Sequence, residues 1–305
     1  MKRSFKKPLV SVILPVYNQD AYIEKAISSV MDQTFQDFEL IIVDDASTDR
    51  TLGILRRFAA RFPKKIKLVE LKQNLGAGGD ICANKALGHS RGKYIARMDA
   101  DDISFPTRLE KQVRYLENHP DVFLVGSNAY VIDRDGFVIG EKREPSKSDE
   151  IYNAYFGFHP LIHPTCMFRR KLKDGTNFKY QIIYSANNDY YTFFKLVCQG
   201  YKFVNLKEKL IKYRIHGQNA TFVDMREKFM NSLKIRNAMV ANYGYIPSPK
   251  AIVMIAMQTL VVYMLPQKFL LGIYFLAKGI IRFEELIPTI SISQKIPALK
   301  RAFSI

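Results

Sequence analysis

Four short apolar runs, each separated from the next by a stretch of helical spacing, constrain the fold of this chain more than any other feature. Leu9–Val16 is continuous, apolar and rich in β-branched residues, as a strand covered on both faces is; Phe38–Val43 reads as a second buried strand, and Ile66–Leu71 and Lys93–Met98 as a third and fourth. After Asp20, the residues Ile23, Ala26, Ile27, Val30 and Met31 recur with helical period. Leu52, Leu55, Phe58 and Ala59 do so after Ser47, so Asp20 and Ser47 read as helix starts. The loop Asn74–Gly79 leads into a further helix through Leu87. This alternation predicts an α/β fold, a mainly parallel sheet with helices on both faces, whose ligands sit outside the carboxyl ends of the strands.

Downstream, Pro106 suits the first turn of a helix with Leu109, Val113 and Leu116 on one side. Val122–Ile132, the turn Asp133-Arg134-Asp135-Gly136 and Phe137–Gly140 read as a hairpin. The charged, proline-bearing stretch Glu141–Glu150 reads as a loop. Thr165–Phe168, Phe203–Leu206 and Leu210–Tyr213 have strand character, and Tyr190–Gln199 is expected to be helical. Long helical stretches follow Asn219.

The fourth apolar run breaks into Asp99-Ala100-Asp101-Asp102. Residues i and i+2 of a strand share a face, so Asp99 and Asp101 project together where strand becomes loop. Adjacent carboxylates repel unless a proton or a cation intervenes. Mg²⁺ binds through one or two carboxylates and completes its shell with phosphate oxygens and water. A bare D-x-D is more often a solvated turn; here Asp44 and Asp45 end the second run and share the same predicted edge.

At 305 residues and 48% hydrophobic content the chain can bury a full core. Its formal charge of +17 suits nucleotide diphosphates, phospholipid headgroups or nucleic acid without choosing among them. Cys82, Cys166 and Cys198 are scattered and form no C-x-x-C pair, so they read as buried small hydrophobes in a reducing compartment. Lys2, Arg3, Lys6 and Lys7 before Leu9–Leu14 imitate a secretion signal. That run stops at Pro15 and Asn18 without a cleavage site, so a cytoplasmic protein is expected.

Three segments now resemble, in order, the signatures of the family 2 glycosyltransferases with the GT-A fold. They are Val10-Ser11-Val12-Ile13-Leu14-Pro15-Val16-Tyr17-Asn18, then Ile41-Ile42-Val43-Asp44-Asp45-Ala46-Ser47-Thr48-Asp49, then Tyr94–Asp102 with Pro106, Arg108 and Leu109. The resemblance implies a Rossmann-like nucleotide-binding sheet flanked by helices, with a helical C-terminal appendage. It implies a catalytic domain over 1–219, its nucleotide-sugar half over 8–132 and its acceptor half over 133–219, and a basic helical tail over 220–305.

The resemblance also implies a nucleotide-sugar donor, a UDP-sugar foremost, and inversion at the anomeric carbon. Pro15, Tyr17 and Asp45 fall at the base, with Asn74 and Gly76 shaping a loop beside the donor. Asp99 falls at the ribose or shares a divalent cation, Mg²⁺ or Mn²⁺, whose main ligand is Asp101. Asp102 reads equally as a cap for a helix near Ser104. Asn188-Asp189-Tyr190-Tyr191 resembles the segment that carries the catalytic base and puts Asp189 at that place. Many members have Glu where this chain has Asn188, which removes any second carboxylate role. Lys212-Tyr213-Arg214-Ile215-His216 resembles the Y-R-x-H element. It puts His216 at the metal or the diphosphate, and Arg214 beside it. His163-Pro164-Thr165 resembles an acceptor-side loop.

Rival readings are narrower. No G-x-G-x-x-G follows the first run and no P-loop motif occurs, against dinucleotide and NTPase folds. A degenerate transferase that binds donor without transfer, or a basic membrane-surface or nucleic-acid-binding protein, would leave the acidic cluster incidental. No nucleic-acid partner is expected. Processive synthases of the family carry a Q-x-x-R-W motif and spanning helices, and this chain has no tryptophan. Ala251–Leu265 and Phe269–Ile281 are apolar but shorter than the about 20 residues of a span. They suit helices lying in a membrane interface or packing on the catalytic domain. The lack of those synthase features points to single-sugar addition, and the resemblance together with the basic, apolar tail implies a glycan or lipid-linked acceptor, as in bacterial surface polysaccharide or lipopolysaccharide synthesis. The expected seat is peripheral, against an anionic membrane on the cytoplasmic face of the inner membrane.

Overall fold

The computed structural model describes residues 7–76, 79–184, 187–216, 225–265 and 270. In chain order the elements are β1 (Val10–Val16), α1 (Ile23–Met31), β2 (Phe38–Asp44), α2 (Thr51–Arg61), β3 (Ile66–Glu70), α3 (Asp80–His89), β4 (Tyr94–Arg97), β5 (Ile103–Ser104) and α4 (Arg108–Asn118). They continue as β6 (Val122–Ile132), β7 (Val138–Lys142), α5 (Ser148–Ala154), β8 (Met167–Arg169), α6 (Asn188–Cys198), β9 (Lys202–Arg214), α7 (Met225–Tyr243) and α8 (Pro249–Met264). Two compact units emerge: Met1–Gly126 with His163–Ser185, and Ser127–Ile162 with Ala186–Ile305.

In the first unit the strand order is β3-β2-β1-β4-β8-β6. Every residue of β1, β2 and β4 is buried, which is why their sequences run apolar rather than alternate. β1 pairs parallel with β2, from Val10↔Phe38 to Val16↔Asp44, and with β4 on its other side, from Val10↔Tyr94 to Ile13↔Arg97. β3 is parallel to β2, whereas β8 runs antiparallel to both β4 and β6. The chain therefore winds outward from β1 through β2 to β3 and returns to place β4 on the opposite flank. Such a reversal leaves a crevice at the carboxyl ends of the two strands that flank it.

The helix starts differ from expectation for a shared reason. Asp20 does not cap α1, which has no side-chain cap; its carboxylate accepts from Arg50 Nε at 3.0 Å. Ser47 does not open α2 either. Its hydroxyl accepts the backbone N–H of Asn18 at 3.0 Å, and α2 begins at Thr51, whose N–H goes to Asp49 at 2.9 Å. The capping groups are taken up in tying the β1–α1 loop to the β2–α2 loop. Likewise β5 occupies 103–104 and α4 begins only at Arg108, so Asp102 does not cap a helix near Ser104 and Pro106 precedes the helix.

In the second unit the later half of β6 pairs with β7 as the expected hairpin. Its turn closes on Asp133, whose Oδ1 accepts the backbone N–H groups of Asp135, Gly136 and Phe137 at 2.9–3.0 Å. The expected loop over 141–150 is shorter. β7 extends to Lys142 and α5 starts at Ser148, where Glu150 accepts the N–H of Lys147 at 3.2 Å. The two short strands expected over 203–213 are one continuous β9. Tyr155, Phe194 and Tyr245 form an aromatic core, with ring centroids 4.9 and 4.8 Å apart in sequence. α8 is uncharged after Lys250 and exposes Ile252, Val253, Met257, Leu260, Tyr263 and Met264. No described helix is long and apolar enough to cross a membrane. The expected domain boundary at 219 and most of the apolar stretch 269–281 lie outside the described residues.

Candidate functional site

The carboxyl ends of β1 and β2 carry the residues read as base-binding. Pro15 is buried in β1 opposite Val43, and Tyr17, one residue past the strand, is 43% exposed. The backbone N–H of Asp45 donates to Val16 O at 2.8 Å, so the ends of β1 and β2 are fixed side by side. Asp45 Oδ1 accepts the Leu75 N–H at 2.8 Å, and Asn74 Nδ2 donates to Asp45 O at 3.2 Å. Asn74 Oδ1 also accepts from Gly76, whose φ of 64° suits glycine. Asn74 thus holds the loop against Asp45. Burial pushes the Cys82 thiol up to about 12, and the neighbouring Asp45 carboxylate adds to the rise. Gly79, at φ 85°, lies over Pro15 and Arg97; a Cβ there would meet Pro15 Cγ at 3.6 Å and Arg97 Nη2 at 3.8 Å.

The end of β4 separates the roles of its carboxylates. Arg97 is only 4% exposed, and its Nε donates to Asp99 Oδ1 at 2.9 Å. Burial opposes the Arg97 charge, but Asp99, with Tyr180 and Asp80, outweighs it and raises the guanidinium pKa. Below the acidic turn Arg108 is buried, donating Nη2 to Arg97 O at 2.7 Å and Nε to Gln112 Oε1 at 3.0 Å. Burial pushes Arg108 down to about 10, while Asp102 and Asp99 favour its charge. Asp101 is half-buried and Asp102 buried. Arg97 was hidden in the sequence because it sits within an apolar run; a cation two residues before Asp99, on the same strand face, was the available signal.

Among the described residues no group of three or more His, Cys, Asp or Glu side chains forms a metal cage. The donors at the strand end are nevertheless hard oxygens, with Asp99 partly neutralised by Arg97 and Asp101 beside it. Such a set fits Mg²⁺ or Mn²⁺ whose remaining shell comes from a diphosphate and water. His163 stands in a single 3-10 turn, with Nε2 2.8 Å from the Tyr180 hydroxyl. Tyr180 is itself tied to α3 by two hydrogen bonds to Asn84, of 2.8 and 2.7 Å.

The second unit holds the other residues singled out. Asp189 lies in the first turn of α6, where the helix dipole favours a carboxylate. Its Oδ1 accepts the Tyr190 N–H at 2.8 Å, and its Oδ2 lies 3.4 Å from Nε2 of His159, a residue the sequence did not mark. Asn188 is fully buried. Arg214 is buried, and its Nη1 donates to Asp133 O and Arg134 O at 2.8 and 2.9 Å, bracing the β6–β7 turn. His216 is buried just past β9.

Residues 11–175 match the family described as Glycosyl transferase family 2. The chain is 37% identical over 216 residues, 70% of its length and 73% of the relative's, to an uncharacterized glycosyltransferase of Methanocaldococcus jannaschii. It is 28% identical over 224 residues, 73% of this chain and 84% of the other, to the UDP-Glc:alpha-D-GlcNAc-diphosphoundecaprenol beta-1,3-glucosyltransferase WfaP of Escherichia coli. Its fold resembles that of the mannosyltransferase PcManGT from Pyrobaculum calidifontis, solved with GDP-Man and Mn²⁺. The TM-score is 0.53 at 18% identity, over 94% of this chain and 87% of that one. The matched segment starts in β1, takes in Asp45 and Asp99–Asp102 and ends past His163: the chain belongs to glycosyl transferase family 2.

Proposed function

We propose that this glycosyltransferase is inverting and metal-dependent. In this reading it moves one sugar from a nucleoside-diphosphate donor, a UDP-sugar foremost, to a hydroxyl of a glycan or lipid-linked acceptor in bacterial surface polysaccharide or lipopolysaccharide synthesis. The observation that carries the reading is the gathering of Asp45, Asp99 and Asp101 at the carboxyl edge of β1, β2 and β4, beside the strand-order reversal. Asp45 accepts the N3–H of a uracil ring, and the exposed face of Tyr17 stacks on it. Pro15 and the Asn74 loop shape the same pocket, and Asp99 reaches the ribose. When bound, Mg²⁺ or Mn²⁺ at Asp101 and Asp99 supplies charge stabilisation to the departing nucleoside diphosphate. Asp189 removes the proton of the acceptor hydroxyl, a poor nucleophile until then, and in-line attack inverts the anomeric carbon. His216 serves the diphosphate side and His163 the acceptor side, while Arg214 braces the β6–β7 turn next to His216. The UDP-Glc and diphosphoundecaprenol in the name of WfaP, and the GDP-Man and Mn²⁺ bound to PcManGT, support the donor class, the acceptor class and the metal.

Donor hydrolysis and transfer across a nucleotide-sugar panel, with Mg²⁺, Mn²⁺ or chelator, test this reading in wild type, Asp101→Asn and Asp189→Asn. Transfer is expected to need metal and to fall at least about 10²-fold in either variant. Chelator-insensitive transfer overturns the metal, and full activity in Asp189→Asn overturns the base.

A further inference from the structure

The geometry points to His159 as a positioning residue for the Asp189 carboxylate, an inference that rests on Asp189 being the base. The two oxygens of Asp189 have different surroundings: Oδ1 accepts the Tyr190 N–H at 2.8 Å, and Oδ2 faces His159 Nε2 at 3.4 Å. The His159 and Asp189 side chains are 22% and 21% exposed, so the pair is screened less than one on the open surface.

The imidazole is held by its faces. Tyr155, Tyr190 and Phe193 surround it with ring centroids 5.8, 5.4 and 6.5 Å away. Both His159 ring nitrogens are buried and neither makes a hydrogen bond. A buried ring nitrogen left without a hydrogen bond is destabilising, so this ring is poised for a contact it has not closed. Catalytic hydrogen bonds are often long before substrate binds and tighten in the complex. Closing 3.4 Å by a few tenths of an ångström gives an Nε2–H to Oδ2 bond. With Oδ1 held by the Tyr190 N–H and Oδ2 by His159, the carboxylate plane is fixed at both oxygens.

The groups facing this pair define its charge. From α6, Tyr190 is kept neutral at ordinary pH, because burial pushes its phenol up to about 12, with Arg236 opposing. From α7, the Arg236 guanidinium lies 5.7 Å from the Tyr190 ring centre and donates to Phe156 O and Gly157 O. From the segment after α5, the Tyr155 carbonyl accepts the Tyr190 hydroxyl. A neutral imidazole donates from Nε2 and leaves the carboxylate basic. An imidazolium pairs with the carboxylate and weakens it as a base.

Steady-state transfer from pH 5 to 9 in wild type, His159→Phe and His159→Gln tests the assignment. His159→Phe keeps a ring but no donor; kcat is expected to fall about 10- to 100-fold, the donor KM to stay unchanged and the acid limb to move. His159→Gln carries an amide donor near the Nε2 position and is expected to recover most of the loss, whereas His159→Asn, whose donor falls short, recovers little. If His159→Phe does not fold, the order of Gln above Asn decides. In an Asp189→Asn background, His159→Phe is expected to cost nothing further. Full kcat with an unmoved pH profile in His159→Phe, beside an inactive Asp189→Asn, overturns the pairing alone. Full activity in Asp189→Asn overturns the base assignment and the pairing with it.

Discussion

Arg97 does most to divide the labour among the carboxylates that follow it. It is buried, and its charge is compensated by Asp99 at 2.9 Å, so Asp99 has a structural task in addition to any ligand contact. Removing a partner from a buried pair leaves an uncompensated charge, which costs more than losing a surface bridge. Asp99 is 31% exposed, so water recovers part of that cost. Asp99→Asn is therefore expected to lower unfolding stability by about 2 kcal/mol in urea titration, and an unchanged midpoint would contradict this structural task. The carboxylates are legible in the sequence because Asp99, Asp101 and Asp102 crowd one strand end whose predicted edge they share with Asp44 and Asp45. Arg97 is legible only as a cation two residues before Asp99, and His159 is not legible, since the fold alone brings it near Asp189.

At the scale of elements, β1, β2 and β4 are legible because a short apolar run covered on both faces has few alternatives. Helix starts are not, because Asp20 and Ser47 can cap locally or bond across to another loop, and the loop pairing wins. The seam between β1 and β4 carries a further constraint. A Cβ on Gly92 would lie 2.6 Å from Ser11 N and 2.8 Å from Val10 C, contacts with backbone that no rotamer change relieves. Gly92→Ala is expected to cost about 2–3 kcal/mol and weaken donor binding through β1. Gly88→Ala, with nothing within 4 Å, should instead stabilise α3 by about 0.5–1 kcal/mol. Thermal and urea unfolding of the two variants check the contrast. α8 offers another test, since its apolar side chains face outward. If that face lies in an anionic membrane interface, one of the two settings the sequence suits, Met257→Glu with Leu260→Glu should abolish flotation with phosphatidylglycerol vesicles while leaving soluble donor hydrolysis intact. Unchanged flotation would remove the membrane from the proposal.

For the whole molecule, composition fixes that a large core exists but not how the chain is divided. It passes from one compact unit to the other near 126, returns near 163 and leaves again near 185, and no shift in composition marks these passages. One kind of titration is common to both units, and burial in the fold creates it. Cys82 in one and Cys198 in the other are thiols that burial pushes from an ordinary value of 9.0 up to about 12. Because the folded value is the raised one, their contribution is complete below pH 9 and is lost as pH climbs from 9 toward 12: the unfolded chain releases protons that the folded chain retains. At higher pH the net charge of +17 also falls, so the clean window is pH 8 to 9.5. Across it, urea unfolding is expected to lose about 1 kcal/mol on account of the fully buried Cys82. Cys82→Ala lowers stability at every pH by opening a cavity, but its slope between pH 8 and 9.5 should be shallower than that of the wild type. An identical slope in the variant would show that the thiol stays un-ionised in both states and does not contribute.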